Sequence, residues 1–424
     1  MATFTAEVYQ NEFLPDGGSD VHAIVTVTCA GAGEAGKSGS GDAGEIVVVD
    51  TSGSMGADKI LAVQRAAAAA LDQVHDGVWF AVIAGSHEAR LAYPTGELGM
   101  TRMDDQTRAA AKYAIGDLEP KGGTAMGTWL RLATEVFASV PGLAQKHAIL
   151  LTDGINQHET PDQLSAAIES ARGQFQCDCR GVGSDWQVAE VRRIATTLLG
   201  SVDLIAAADE MAADFEQIMR QSMGRGVAEA WLRVWAPQGA QVLFVRQVSP
   251  TVDDLTSRRT EVNALTSAYP TGSWGDEARD YHVAVRLPAK AVGQEQLAAR
   301  VQLALGTDVV AQGLVKAMWS SDDTLTTRID PAVAHYTGQA ELAEAIQDGL
   351  AAKASGDTAT ATTKLGRAVQ LAEETGNKEA TTRLRKIVDI DDAATGKVQL
   401  RRSVDKLDEM ALDTASTKTT RVKK

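Results

Sequence analysis

The sequence has few cysteines, no long apolar run and an excess of acidic over basic residues. Its 3 cysteines are too few, and odd in number, for the disulfide framework of a small secreted domain. No stretch approaches the roughly 18 consecutive apolar residues that a membrane-spanning helix needs. The N-terminus lacks a basic segment followed by an apolar run, which is the pattern of a signal peptide. We therefore expect a cytoplasmic protein.

The charge balance argues against two classes of partner. The 424 residues carry a formal net charge of -15 at pH 7, whereas binding to nucleic acid or to an anionic membrane depends on clustered lysine and arginine. We therefore expect neither nucleic acid nor a membrane surface as a partner. Hydrophobic residues make up 44% of the chain, which is enough for the cores of several domains without disulfide bonds.

From residue 45 onwards, short apolar runs alternate with amphipathic segments. The segments at residues 45–50 and 147–153 each contain a continuous apolar run and end in aspartate, and such runs are typical of parallel strands buried on both faces. Helical patterns follow each run as far as residue 224. The fold class that this alternation predicts is α/β, with a doubly wound, mostly parallel sheet over residues 45–224.

The remaining segments have other periodicities. Residues 226–320 alternate with a period of two between turn signals, which predicts an antiparallel β-sandwich. Two strands predicted within residues 1–30 have no place in the parallel sheet, so we assign them to the sandwich and interpret the α/β domain as an insertion. The other predicted parts are a Gly/Ser linker, a helical region and a basic, disordered tail, at residues 31–44, 335–412 and 413–424 respectively.

Two aspartates and three hydroxyl residues follow the predicted strands at one edge of the parallel sheet. Asp50, Ser52 and Ser54 come at the end of the first apolar run, Asp153 at the end of the second, and Thr124 in a glycine-containing loop between them. In such sheets, ligands bind just beyond the carboxyl ends of the strands. An all-oxygen set suits a hard divalent cation; we prefer Mg²⁺, with Mn²⁺ or Ca²⁺ as alternatives.

The same residues carry a resemblance to a known family. Asp50-Thr51-Ser52-Gly53-Ser54, Thr124 and Thr152-Asp153-Gly154 resemble the metal-ion-dependent adhesion site of von Willebrand factor type A domains, and all five ligand positions are filled. The resemblance covers residues 45–224. It implies that the hydroxyls contact the metal, that the aspartates act directly or through water, and that one position remains for a partner's Asp or Glu. It also implies a bacterial intracellular type.

Two classes of function follow from these observations. The first is a non-enzymatic scaffold that binds a protein partner through Mg²⁺; the resemblance extends this to an adaptor of an ATPase or of a kinase and phosphatase system. The alternative is an enzyme, either a nucleotide hydrolase or a Mg²⁺-dependent phosphotransferase acting at Asp50. Residues 31–38 match the Walker A pattern, but the glycines and serines that follow are poor helix formers. A flexible linker is therefore the favoured interpretation.

Two weaker signals have both a functional and a structural interpretation. Cys177 and Cys179 lie two residues apart on a predicted strand, so they face the same way; they are either buried small residues or a redox pair. Thr417, Thr419 and Thr420 lie beside lysine and arginine. They are either part of a solvated end or targets of a Ser/Thr kinase, read by a phosphothreonine-binding partner.

Overall fold

The computed structural model describes residues 2–37 and 41–422. No helix in these ranges is both long enough and apolar enough to cross a membrane. Contacts between residues divide the chain into two compact units. The first is built from Gly31–Ala228 and Gly272–Asp276, and the second from Ala2–Ala30, Glu229–Thr271 and Glu277–Lys424.

The elements follow one another in four stretches. The chain begins with β1 (Thr3–Gln10), β2 (Phe13–Leu14) and β3 (Asp20–Ala30). Strands and helices then alternate in β4 (Asp42–Asp50), α1 (Gly56–Gln73), β5 (Trp79–Gly85), β6 (Arg90–Tyr93), β7 (Thr101–Arg102), α2 (Asp105–Gly116), α3 (Met126–Ala138), β8 (Leu143–Thr152), α4 (Pro161–Ala171), β9 (Gln176–Val182), α5 (Val188–Thr197), β10 (Val202–Ile205) and α6 (Met211–Met223).

Strands dominate the third stretch and helices the fourth. The third stretch consists of β11 (Val227–Trp235), β12 (Gln241–Ser249), β13 (Asp253–Asp254), β14 (Thr260–Asn263), β15 (Thr266–Trp274), β16 (Ala278–Arg286), β17 (Glu295–Leu305) and β18 (Asp308–Trp319). The fourth consists of α7 (Asp323–Thr326), α8 (Pro331–Ala354), α9 (Thr358–Glu374), α10 (Lys378–Ile387), β19 (Val388–Asp392), β20 (Lys397–Leu400) and α11 (Lys406–Ala415).

The first unit is built around one mostly parallel sheet. Its strand order is β10-β9-β8-β4-β5-β6, and β7 also pairs with β5. The pairs from β10 to β5 are parallel, whereas β6 and β7 run antiparallel to β5. Val47 and Val49 belong to an apolar cluster that also contains side chains of α1, α2 and α6, while Ile46 and Val48 are equally buried and face the other way. The predicted α/β fold class is confirmed.

The second unit contains two sheets and a helical region. One sheet has the order β1-β3-β16-β12-β13, and the other has the order β14-β15-β11-β17-β18-β2. β3 pairs antiparallel with both β1 and β16, so the N-terminal strands complete a sheet whose other members come more than 200 residues later in the sequence. α8 packs on this sheet, where Tyr336, Ile24 and Val248 share one apolar cluster.

The C-terminal region differs from the sequence prediction in two respects. The sequence predicts helices throughout residues 335–412, but the hairpin β19–β20 separates α10 from α11. It also predicts a disordered tail at residues 413–424, yet the Oγ1 of Thr419 donates to the carbonyl oxygen of Val248 over 2.7 Å and Arg421 pairs with Asp280. These partners lie far away in sequence, so local composition cannot reveal them. Lys423 and Lys424 lie outside the described residues.

Candidate metal centre

The site begins where two neighbouring parallel strands end. β4 and β8 pair in parallel, with Val49 opposite Leu151, so Asp50 and Thr152 leave the sheet side by side. The Thr152 Oγ1 donates to Asp50 Oδ2 over 2.8 Å, and the backbone N–H of Ser52 donates to Asp50 Oδ1 over 2.7 Å. The strand ends therefore fix both oxygens of the Asp50 carboxylate.

Burial sets the electrostatics of Asp50. Its side chain is 0% exposed, and this desolvation raises its pKa to about 6, although hydrogen bonds from Ser52 and Thr152 act in the opposite direction. The nearby Asp153 carboxylate raises the pKa further. Two acidic groups thus lie together in a desolvated position, which is an arrangement that a divalent cation would stabilise.

The serines of the turn after β4 connect Asp50 with Asp153. Gly53 to Met55 form a short 3-10 turn that leads into α1. The Oγ atoms of Ser52 and Ser54 lie 2.8 Å apart, and Ser54 Oγ donates to Asp153 Oδ1 over 2.6 Å. Asp153 itself is 0% exposed, whereas Ser54 is exposed, so the site is open to solvent on the Ser54 side.

Three hydroxyl groups converge on one point beside Gly154. A Cβ built on Gly154 would lie 2.9 Å from Thr124 Oγ1, 3.3 Å from Ser54 Oγ and 3.8 Å from Ser52 Oγ. We call this space, bounded by the hydroxyls of Ser52, Ser54 and Thr124, the hydroxyl cradle. It lies next to the Asp153 carboxylate. The structure thus brings together all five residues that the sequence singled out, and their donor set fits a hard cation.

The loop that carries Thr124 is held against the turn after β4. The N–H of Gly53 donates to Gly122 O over 2.8 Å, and the N–H of Lys121 donates to Thr51 O over 2.6 Å. Gly122 has a φ of 76°, a conformation that favours glycine, and a Cβ there would meet the ring of His87 at 2.1 Å. Glycine therefore suits this position of the loop both by its backbone conformation and by its lack of a side chain.

Sequence reasoning missed Lys59. This residue lies in the first turn of α1, and its Nζ donates to Asp153 Oδ2 over 2.6 Å, with 34% of the lysine side chain exposed. A lysine in the first turn of a helix is disfavoured by the helix dipole. Its position there, nine residues after an expected ligand, is the signal that points to an acidic partner.

A second missed feature links the Asp153 loop to α3. α3 begins just after Thr124, and its N-cap residue, Ala125, provides no side-chain hydrogen bond. Instead, Asn156 Oδ1 accepts from the N–H of Met126 over 2.8 Å and Glu159 Oε1 accepts from the N–H of Gly127 over 2.6 Å. The loop after Asp153 therefore caps the helix that follows Thr124, and the two halves of the site are held together.

We expect Glu159→Ala to destabilise the protein by about 1–2 kcal/mol, because the N–H of Gly127 would lose its acceptor at the start of α3. Glu159→Gln is the matched control, since it removes the charge but retains an oxygen acceptor. Urea denaturation of both variants measures the difference. Equal stability of the alanine and glutamine variants would show that the capping hydrogen bond contributes little.

The described chain offers little support for the nucleotide site. The Walker A mechanism needs a helix that begins at its Lys-Ser pair, but β4 begins at Asp42, and Lys37 is engaged with Glu34 in an ion pair of 2.5 Å. Ser38, the last residue of the motif, lies outside the described residues. The predicted linker also contributes to the core, because Ala35 is buried.

The two cysteines of β9 are buried thiols. Their Sγ atoms lie 3.8 Å apart, which confirms that they face the same way. Within the described ranges, no group of three or more histidine, cysteine, aspartate or glutamate side chains is arranged to hold a metal ion. The candidate centre differs in kind from such groups, because three of its five donors are hydroxyls.

Two family models match the chain. The von Willebrand factor type A domain model covers residues 45–203, and the von Willebrand factor type A C-terminal domain model covers residues 370–416. The chain is also 30% identical over 214 residues to an uncharacterized protein from Synechocystis sp., a match that covers 50% of this chain and 49% of that protein. The chain thus spans about half the length of this curated relative.

Solved structures extend the similarity to the whole chain. A structure described as von Willebrand factor type A from Catenulispora acidiphila is 47% identical and has a TM-score of 0.93, with 99% of this chain and 97% of that chain covered. The ArnB paralog VWA2 from Sulfolobus acidocaldarius is 14% identical, with a TM-score of 0.57 and 98% of both chains covered. At that identity, the second match shows a shared fold and nothing more.

Proposed function

Because the chain belongs to the von Willebrand factor type A domain family, we propose that it is a non-enzymatic interaction protein in which a bound Mg²⁺ ion meets an acidic side chain of a protein partner. Proteins with such domains typically mediate protein–protein interaction. The residues proposed to hold the ion are Asp50, Ser52, Ser54, Thr124 and Asp153.

The observation that carries this proposal is the hydroxyl cradle. Three hydroxyl oxygens lie within 3.8 Å of one point beside Gly154, and Asp153 Oδ1 is 2.6 Å from one of them, Ser54 Oγ. Side chains from three different loops would not converge in this way merely to cap a helix. Oxygen donors without imidazole or thiolate favour Mg²⁺, and also suit Mn²⁺ or Ca²⁺.

The charge of the site supports an anionic partner group. Two carboxylates balance the double charge of one bound cation, and the other donors are neutral hydroxyls. The ion would supply a positive centre that an incoming carboxylate can neutralise. The exposed position of Ser54 leaves access from solvent. The acidic net charge of -15 is the reason for proposing a protein rather than nucleic acid or an anionic membrane as the partner.

The test is a comparison of metal binding and partner capture with the full chain. We expect calorimetric titration with Mg²⁺ to give one site in the wild type and none in Asp153→Ala. Asp58→Ala is the matched control, since Asp58 is an exposed carboxylate in the first turn of α1. Proteins captured from native lysate with Mg²⁺, but not with EDTA or with Asp153→Ala, are the candidate partners. Absence of Mg²⁺ binding by the wild type would refute the proposal.

A further inference from the structure

We propose that Lys59 determines the specificity of the metal centre for an anionic partner group, by giving the loaded site a net positive charge. This inference rests on the proposed function. The Asp50 and Asp153 carboxylates offset the charge of one divalent cation, and the ammonium of Lys59 then leaves one positive charge in excess. A carboxylate arriving from a partner would complete the neutralisation.

Lys59 and a cation in the cradle can share Asp153 because they use different oxygens. Asp153 Oδ1 faces the cradle and accepts from Ser54 Oγ over 2.6 Å. Asp153 Oδ2 accepts from Lys59 Nζ over 2.6 Å. The lysine therefore lies beside the cradle rather than inside it, and loading of the site does not require it to leave.

The ion pair of Lys59 and Asp153 lies where solvent screens charge only weakly. Asp153 is 0% exposed and Lys59 is 34% exposed, so one member is fully desolvated and water screens the pair less than a surface ion pair. Among the described residues, Lys59 is the one cationic side chain within ion-pair distance of the Asp50 or Asp153 carboxylate. Its charge therefore acts on the site directly.

The start of α1 adds to the positive electrostatic potential that Lys59 produces at the site. α1 begins at Gly56, two residues after Ser54, and the N-terminus of a helix carries a partial positive charge. That partial charge disfavours a lysine in the first turn, so the Asp153 carboxylate is what stabilises Lys59 there. Both the helix end and the ammonium favour an anion on the loaded site.

This arrangement has two consequences of opposite sign. A fixed positive charge beside the site weakens the binding of a metal cation by electrostatic repulsion. The same charge strengthens the binding of an anion to the loaded site. Replacing Lys59 by methionine should therefore tighten metal binding and weaken anion binding. A lysine that only supported the local fold would weaken both when removed.

The experiment uses the full chain with Mn²⁺ as the ion and acetate as the anion. Mn²⁺ affinity comes from electron paramagnetic resonance of the free ion, and acetate binding from the loss of water-proton relaxation at the bound ion. For Lys59→Met we expect Mn²⁺ affinity to rise, and acetate affinity to fall, each by roughly 3- to 10-fold. Lys59→Arg should retain both values.

Arg65→Met is the matched control, because Arg65 is an exposed cationic side chain on the same helix, α1, six residues beyond Lys59. It should leave both affinities within about twofold of the wild type. Affinities for Mn²⁺ and acetate that fall together in Lys59→Met, or stay unchanged, would overturn the role of Lys59 while the metal site stands. A wild type that binds no Mn²⁺ would overturn the proposed function, and this inference with it.

Discussion

Gly154→Ala should lower the affinity of the chain for Mg²⁺ on the order of 100-fold, although it removes no donor atom and no charge. The new methyl group would lie 2.9 Å from Thr124 Oγ1 and 3.3 Å from Ser54 Oγ, so it would occupy the cradle and force the Thr124 hydroxyl away. Titration calorimetry with Mg²⁺ measures the loss. Far-ultraviolet circular dichroism should remain that of the wild type.

The control for this substitution is Gly116→Ala. Gly116 lies at the end of α2, and a Cβ there would meet nothing within 4 Å. Neither Gly116 nor Gly154 has a positive φ, so both positions accept alanine without backbone strain. Wild-type Mg²⁺ affinity in Gly154→Ala would mean that the ion does not bind between these hydroxyls.

His147→Leu should destabilise the chain by about 3–5 kcal/mol, because it would leave two buried carboxylates without their shared partner. His147 lies on β8, with its Nδ1 2.7 Å from Glu45 Oε2 and its Nε2 2.9 Å from Asp178 Oδ2. All three side chains are buried. Burial alone would lower the pKa of His147, but the two carboxylates outweigh it and raise the pKa to about 9.

The raised pKa also predicts how stability depends on pH. The unfolded chain would titrate this histidine near pH 6.5, so the charged form stabilises the fold fully below about pH 6.5 and loses its contribution as pH rises through 9. The loss amounts to roughly 3 kcal/mol at most. Urea denaturation at pH 6, 7.5 and 9 should show this decline in the wild type but not in His147→Gln. The same dependence of stability on pH in the wild type and in His147→Gln would contradict a charged histidine.

The sequence predicted the α/β unit, and predicted that Asp50 and Asp153 lie close together, because both features depend on local patterns. The apolar runs of β4 and β8 can be buried only in the middle of a covered sheet. Once these strands are parallel neighbours, Asp50 and Asp153 must leave the sheet at the same edge. The two carboxylates of the candidate site could therefore be placed together from strand ends and residue types, without knowledge of any distance.

The features that sequence reasoning missed depend on contacts between distant segments. The position of Lys59 in the first turn of α1 suggests an acidic partner, but that partner is identified only once the loop after β8 brings Asp153 to it. β15 contains Pro270 and Gly272, which normally interrupt strands, yet it pairs with β11 and β14 in the second sheet. Asp153 lies 94 residues from Lys59, and β15 begins 31 residues after β11 ends, so neither partner falls within the short window over which a periodicity is read.

The pairing of β3 with β16 constrains how the chain folds while it is synthesised. Asp20 to Thr28 pair with Arg286 to Ala278, so β3 leaves the ribosome long before its neighbour exists. At about 5–20 residues per second, the roughly 250 intervening residues take on the order of 10 to 50 seconds to translate. During that time the hairpin of β1 and β3 has an open edge, which is a site for mispairing. Residues 31–228, which form the bulk of the first unit, can complete their parallel sheet within this interval, before β16 emerges to close the open edge.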